Sequence, residues 1–395
     1  MSLSPGVRKL RTAMLADKLI QRGHTVVFWS SAFDHIKKKW LFPKDTSLSV
    51  NKQLEIIALK GAGYKNNKSI LRFIDHRIIA WKFKRTAPMM KRPEIIVVSF
   101  PSYDLAYEAT MFAKRNKIPV ILDIRDEWPE LFLFFVPKGV KTIFKLLLSY
   151  EFKIAKAAIS AAGSLAASTS SLLEWGLNLA GRKASQDDKV FYLGSKNIFK
   201  DSGKKTDGIF RGLKNKFVVT FVGTFSYAND LTVVMDCAEK LTGSDIFFVF
   251  AGTGDLFKRL KKRASGLSNV LLTGWLAEEE IYSLLRNSHL GICPTTQIRS
   301  VIPNKVFLYL SAGLPILSSY EGELKEIINK YQIGFNYPLD NAEMLAGRIR
   351  SLYNDRALYK TMSENALQVF NKMFDADKIY EDYVRHVESV AAQPL

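Results

Sequence analysis

The chain has 395 residues, 47% of them hydrophobic, which is ample for packed cores and excludes a disordered protein. Its formal net charge of +19 sits wholly in residues 1–205, which hold 36 Lys and Arg against 17 Asp and Glu, while residues 206–395 hold 21 of each. Two cysteines, Cys237 and Cys293, lack His or Cys neighbours at ligand spacing, so neither a disulfide framework nor a metal site is expected, which fits a reducing cytoplasm. No signal-type apolar run and no 18-residue uncharged stretch occurs, so the expectation is a protein neither secreted nor membrane-spanning. The length makes two domains the default. A basic half beside a neutral half suggests a face that meets lipid headgroups, a phosphorylated substrate or nucleic acid.

Residues 7–22 read as an amphipathic helix with Leu10, Met14, Leu15 and Leu19 on one side, followed by Gly23-His24 and a strand at Thr25–Trp29. Residues 31–53 read either as a solvated loop or as a membrane-facing one, with Lys37, Lys38 and Lys39 beside Trp40 and Phe42. Glu55–Leu59 is a short strand. Residues 68–92 mix apolar and basic side chains at helical spacing. Ile70, Phe73, Ile74, Ile78 and Trp81 form one side, facing either the core or a membrane. Glu94–Ser99 and Pro119–Leu122 read as buried strands. The second ends in Asp123-Ile124-Arg125-Asp126-Glu127-Trp128-Pro129, where polar residues just past a parallel strand suit a ligand site. Within 130–150, Val140, Ile143, Phe144 and Leu147 alternate with Lys138, Lys141 and Lys145, again as a core helix or a membrane-surface contact. Strands follow near 163–168 and 190–193.

Lys196–Lys216 is polar, basic and glycine-containing, and reads as a linker. Beyond it, strands at 218–222, 246–250, 270–272 and 290–293 alternate with helical segments, the mark of a parallel doubly wound sheet. Each strand ends in a short polar or glycine loop: Gly223-Thr224, Gly252-Thr253-Gly254, Gly274-Trp275. Residues 301–318, VIPNKVFLYLSAGLPILS, read as a turn, a helix with Pro303 in its first turn and a buried strand. A helix opening after a strand offers free N–H groups and a positive dipole end to a phosphate, and Lys305 adds a full charge there.

The run P-N-K-V-F-x-Y-L-S-A-G-L-P-I resembles the donor-site signature of the GT4-like glycosyltransferases of GT-B fold. F-V-G-T, F-A-G-T-G-D and L-T-G-W precede it in the family's order. R-G-H-x-V and D-I-R-D-x-W-P are similar to first-domain motifs of a branch that assembles bacterial surface polysaccharides. The resemblance implies an α/β GT-B fold, two Rossmann-like domains facing a cleft. An acceptor and membrane-side domain would span 1–200, a nucleotide-sugar domain 201–374, and a returning helix 375–395. With only Met1–Gly6 ahead of the first helix, the first strand is expected to be truncated or absent. The resemblance also implies that Gly223, Thr224, Gly252, Gly254, Gly274, Trp275, Pro303, Asn304, Lys305 and Leu308 hold a UDP- or GDP-linked sugar. Lys305 would then offset the leaving-group charge without a metal ion, and no cofactor is expected. Arg125 would pair with an acceptor phosphate and Asp126 would orient a hydroxyl; a buried ion pair fixing that loop is the alternative. Where relatives carry two acids eight residues apart, this chain has Ser300 and Leu308. The basic pair after the first glycine loop is replaced by F-S-Y-A-N-D.

The expected function is a retaining glycosyltransferase that moves a sugar onto a membrane-linked, polyprenyl-type glycan in capsule or O-antigen synthesis. It would lie in the cytoplasm, peripheral on the inner face of the cell membrane. A catalytically degenerate, membrane-docked partner protein and a nucleotide-sugar epimerase of the same fold are the alternatives. No nucleic-acid motif accompanies the basic half, so nucleic acid is not an expected partner.

Overall fold

The computed structural model describes residues 11–35, 37–66, 69–197, 210–229, 231–296 and 301–393. Expectations on Met1–Gly6, Leu10, Lys68, residues 198–209 of the linker, and Ser300 lie outside them. The chain divides into two compact units, Met1–Tyr192 with Tyr380–Leu395, and Leu193–Ile379.

The first unit holds two separate sheets. Val26–Ser31 pairs in parallel with Leu54–Leu59, which pairs antiparallel with Thr46–Asn51. Ile96–Phe100, Val120–Ile124, Ser164–Ala167 and Lys189–Val190 form a parallel sheet in that order. Both sheets feed one core, in which Ile57 and Leu59 join Val98, Phe100, Leu122, Ile124 and Leu165. Val26 and Ala32 donate N–H groups to Gln53 and Leu59 at 2.7 and 2.8 Å. Backbone groups of alternate residues point opposite ways in a strand, so Val27, Trp29 and Ser31 face away from that neighbour. Among the described residues no strand pairs with this edge, or with the outer edge of Ile96–Phe100.

Thr46–Asn51 is a strand that the sequence reading left inside a loop. Leu48 and Val50 alternate with Ser47, Ser49 and Asn51, but over only two apolar positions, and both are exposed. In the helix Ile70–Thr86 the side expected to face either the core or a membrane is largely exposed. The helix buries Asp75, Ile79, Ala80 and Phe83, while Ile70, Ile74 and Trp81 are exposed. Apolar residues occur all round this helix, so spacing alone did not choose its inner side. The segment after Pro129 is a 3₁₀ turn at Glu130–Phe135, then helices Lys141–Leu147 and Ser149–Ala161. Ile143 and Leu147 are exposed, which removes the core-helix alternative for that stretch.

The first helix, Arg11–Gln21, is fixed by a contact no local pattern reveals. Buried Arg11 grips Asp123 with two hydrogen bonds of 2.7 and 2.9 Å and donates a third, of 3.2 Å, to the carbonyl of Tyr192. The pair ties the helix to the end of Val120–Ile124 and to the chain end of the unit. The helix Ala376–Ala391 closes the unit, with Tyr383 stacked on Phe191 at 4.2 Å and Arg22 bonded to Glu388 at 2.9 Å.

The second unit is a six-stranded parallel sheet. Its order is Val270–Gly274, Ile246–Ala251, Phe217–Val222, Leu290–Cys293, Ile316–Ser318, Gly334–Asn336. Phe217, Val219, Phe221, Phe248 and Phe250 enter one core, while Val218, Val249 and Ala251 enter a second. Alternate residues are therefore buried on opposite faces, and the strands read as continuous apolar runs. The chain direction across the sheet reverses between Phe217–Val222 and Leu290–Cys293. At such a switch point adjacent loops diverge and leave room for a ligand beyond the carboxyl ends.

Candidate functional site

The helix Asn304–Ser311 starts at this switch point. Pro303 is its N-cap, in extended backbone, one position earlier than the sequence reading placed it. Proline suits that place, because it gives up no helical N–H. The helix buries Val306, Phe307, Tyr309, Leu310 and Ser311, more than the single apolar side expected. Tyr309 explains part of this. Its hydroxyl accepts from the Val222 N–H at 2.8 Å and donates to the Ile292 carbonyl at 3.5 Å, so it bridges the two strands that part here. Gly291 makes room for its ring, since a Cβ there would lie 2.3 Å from it.

Lys305 is turned inward. Its ammonium lies 4.1 Å over the Phe221 ring and donates to Asn229 Oδ1 at 3.3 Å. Burial pushes its pKa down from 10.5 to about 8. Among the described residues no carboxylate lies within ion-pair distance of it. A Cβ on Gly223 would come within 3.6 Å of this ammonium, so the first glycine loop and the cation share one spot. Thr224 is exposed beside them, and Asn304 is exposed at the helix start. Half-buried Leu308 offers no hydrogen-bonding group on the following turn.

The second glycine loop also has a packing role that the sequence reading did not assign it. A Cβ on Gly252 would lie 1.9 Å from the Gly223 carbonyl, and one on Gly254 2.4 Å from that of Phe225. Gly223 and Phe225 donate to Ala251 and Thr253, both at 2.9 Å, and Gly252 donates to Gly274 at 2.8 Å. Gly252 and Gly254 thus seat one loop on the next, and the Gly252 N–H is taken up by Gly274. Gly274 has a left-handed φ of 76° that delivers Trp275 to the surface, 79% exposed. Tyr227, 71% exposed, is a second open ring in the unit. Phe221, Asn229 and Tyr309 had escaped the sequence reading; their roles depend on strands brought together only by folding.

In the first unit, Arg125 and Asp126 follow Val120–Ile124 as expected. Arg125 donates to Ser99 Oγ at 3.4 Å. Among the described residues neither it nor Asp126 forms an ion pair. The buried pair in this segment is Arg11–Asp123 instead, which leaves Arg125 available. Shielding by surrounding protein raises the pKa of Asp126, against the opposing pull of Arg125 and Arg72. Trp128 is buried and packs at a tilt against Phe132, with ring centres 4.7 Å apart. No group of metal-ligating side chains occurs among the described residues.

Parallel sheets with a ligand-ready switch point define the class first: this is the fold of GT-B glycosyltransferases. It matches sucrose-phosphate synthase of Thermosynechococcus elongatus with a TM-score of 0.71 at 15% identity, over 96% of this chain and 92% of that one. HepE of Anabaena, solved in complex with UDP, matches with a TM-score of 0.63 at 16% identity, over 85% and 86%. Residues 205–369 match the model of the family "Glycosyl transferases group 1", and the chain carries a domain of that family. The O-antigen chain mannosyltransferase C of Escherichia coli is 29% identical over 172 residues, 42% of this chain and 44% of that protein. The match spans less than half the length of that curated relative.

Proposed function

We propose that the chain is a glycosyltransferase that moves a hexose from a nucleotide-diphosphate donor to a glycan, in O-antigen or capsule synthesis. The observation that carries this is Lys305, a shielded cation without a carboxylate partner among the described residues, beside Gly223 and a helix start at the switch point of a parallel sheet. A donor diphosphate supplies the missing counter-charge. As the C1–O bond to phosphate breaks, Lys305 and the helix start offset the charge left behind. The acceptor oxygen forms the new bond to C1 on the face the phosphate leaves, and its proton passes to that phosphate, so the configuration is retained. No metal ion is needed for this step, because Lys305 supplies the charge. Trp275 gives the nucleobase a face to stack on.

The acceptor in this reading is lipid-linked and the protein works at the inner face of the cell membrane. No helix among the described residues is long and apolar enough to cross a bilayer. The support for contact with one is the exposed apolar set of the basic first unit: Ile70, Leu71, Ile143, Leu146 and Leu147, each more than half exposed. Lysines such as Lys145 stand among them. Such a surface suits anionic headgroups.

Leu308 favours one other reading, a degenerate donor site on a membrane-docked partner protein. Incubation with UDP-glucose and with GDP-mannose, in the presence of membranes bearing polyprenyl-linked glycans, separates the two. Release of UDP or GDP with a labelled lipid-linked product supports transfer. No product with either donor, from folded protein, leaves the degenerate reading.

A further inference from the structure

In the first unit, three loops at the carboxyl ends of parallel strands meet the start of the helix Ile70–Thr86. The loop after Val26–Ser31 brings His35 and Lys38, the latter in left-handed backbone at φ 54°. The loop after Leu54–Leu59 brings Tyr64, and the one after Val120–Ile124 brings Arg125 and Trp128. The helix adds Arg72 and His76.

The Arg72 guanidinium lies 4.4 Å over the Trp128 ring, and the Lys38 ammonium 4.6 Å over that of Tyr64. His76 stacks on the other ring neighbour of Arg72, Trp128, with centres 6.3 Å apart. Buried aromatic faces thus hold two cations in place. Arg125 faces the same group, bonded only loosely to Ser99. Burial pushes His76 down to about 4, with Arg72 adding to the effect. Burial and then Lys38 lower His35, and Arg72 and Arg125 add to it. Carboxylates stand near it as well: Asp34, which accepts from the Lys37 N–H at 3.0 Å, Asp126, and Asp75, which acts on Tyr64 and accepts from the Gly63 N–H at 2.8 Å. Two cations held on aromatic faces and a third, Arg125, thus converge on one set of strand ends.

We propose that this cluster binds a phosphate or diphosphate group of the acceptor, with Arg72 and Arg125 as its principal contacts. The inference rests on the acceptor reading above and adds the chemistry that holds the acceptor. Guanidinium pairs match the oxygen geometry of phosphate, and the carboxyl ends of parallel strands are where α/β units receive ligands. Ile70, Leu71 and Ile74, on the same helix as Arg72, are exposed and offer an apolar surface to a lipid attached to that phosphate.

The test is calorimetric titration of the full chain carrying Lys305→Ala, so that the second unit's cation does not contribute. The probes are inorganic pyrophosphate and farnesyl diphosphate. The proposal expects saturable binding, weakened on the order of tenfold or more by Arg125→Gln and by Arg72→Gln. Tighter binding of farnesyl diphosphate assigns a lipid-linked source, and equal binding assigns recognition of the phosphate alone. Absent binding, or affinity unchanged by Arg125→Gln, overturns the proposal. Arg72 packs on Trp128, so its variant also needs a melting curve; Arg125, loosely held, carries the decision. UDP binding to the wild-type chain without pyrophosphate binding to the Lys305→Ala chain removes this proposal and leaves the donor reading standing.

Discussion

Replacing Lys305 with methionine should make the protein more stable while removing its affinity for a nucleotide diphosphate. The ammonium is held where its pKa falls from 10.5 to about 8, so the fold disfavours its charged form. At about 1.4 kcal/mol for each pKa unit, the ceiling on that cost is roughly 3 kcal/mol. The Phe221 ring and Asn229 favour the charged form and so reduce that cost. Because the side chain is only half-buried, a gain of about 1–2 kcal/mol is expected from Lys305→Met near pH 7. The sign with pH follows from linkage: above pH 8 the folded state sheds this proton while the unfolded state keeps it until about 10.5, so wild-type stability rises. The gap between variant and wild type should therefore narrow by more than half at pH 9.5. Urea unfolding of both proteins at pH 7 and 9.5 measures it. A variant no more stable than wild type at pH 7, or a gap that does not change with pH, refutes the reasoning.

Other perturbations test the frame. Arg11→Met leaves Asp123 buried and uncompensated and should cost about 3–5 kcal/mol, whereas the double variant with Asp123→Leu should recover most of it in urea unfolding. Gly252→Ala drives a Cβ into the Gly223 carbonyl and should cost roughly 2–4 kcal/mol by thermal melting. The double variant Leu146→Gln, Leu147→Gln alters exposed side chains, so its stability should stay within about 0.5 kcal/mol of wild type. Its sedimentation with phosphatidylglycerol vesicles should fall roughly tenfold or more, given about 1.5–3 kcal/mol for burying one leucine.

The second unit was legible because its signals are local. A run such as Phe217–Val222, closed by Gly223, reports a doubly covered parallel strand and its loop in a few consecutive residues. The P-N-K helix start likewise carries its own turn, charge and apolar side. What stayed hidden depends on distant partners. Arg11 and Asp123 stand 112 residues apart, and nothing near either announces the other. Phe221 and Asn229 around Lys305 meet it only through the sheet. Gly252 and Gly254 were visible as glycines, but their cause, a neighbouring backbone, was not. In the first unit, Thr46–Asn51 faces solvent, and its alternation of Leu48 and Val50 with serines is too short to stand out from a loop. Arg72 and His76 stand in Ile70–Thr86 among Asp75, Arg77, Lys82, Lys84 and Arg85, so nothing local singled them out.

The donor site is the centre of the account, and calorimetric titration with UDP and with GDP, on wild-type protein and on Lys305→Ala, tests it most directly. The account predicts saturable binding of one nucleotide, weakened about tenfold or more in the variant by loss of a charged hydrogen bond. Binding of neither nucleotide by folded wild-type protein, or equal binding by the variant, would contradict it.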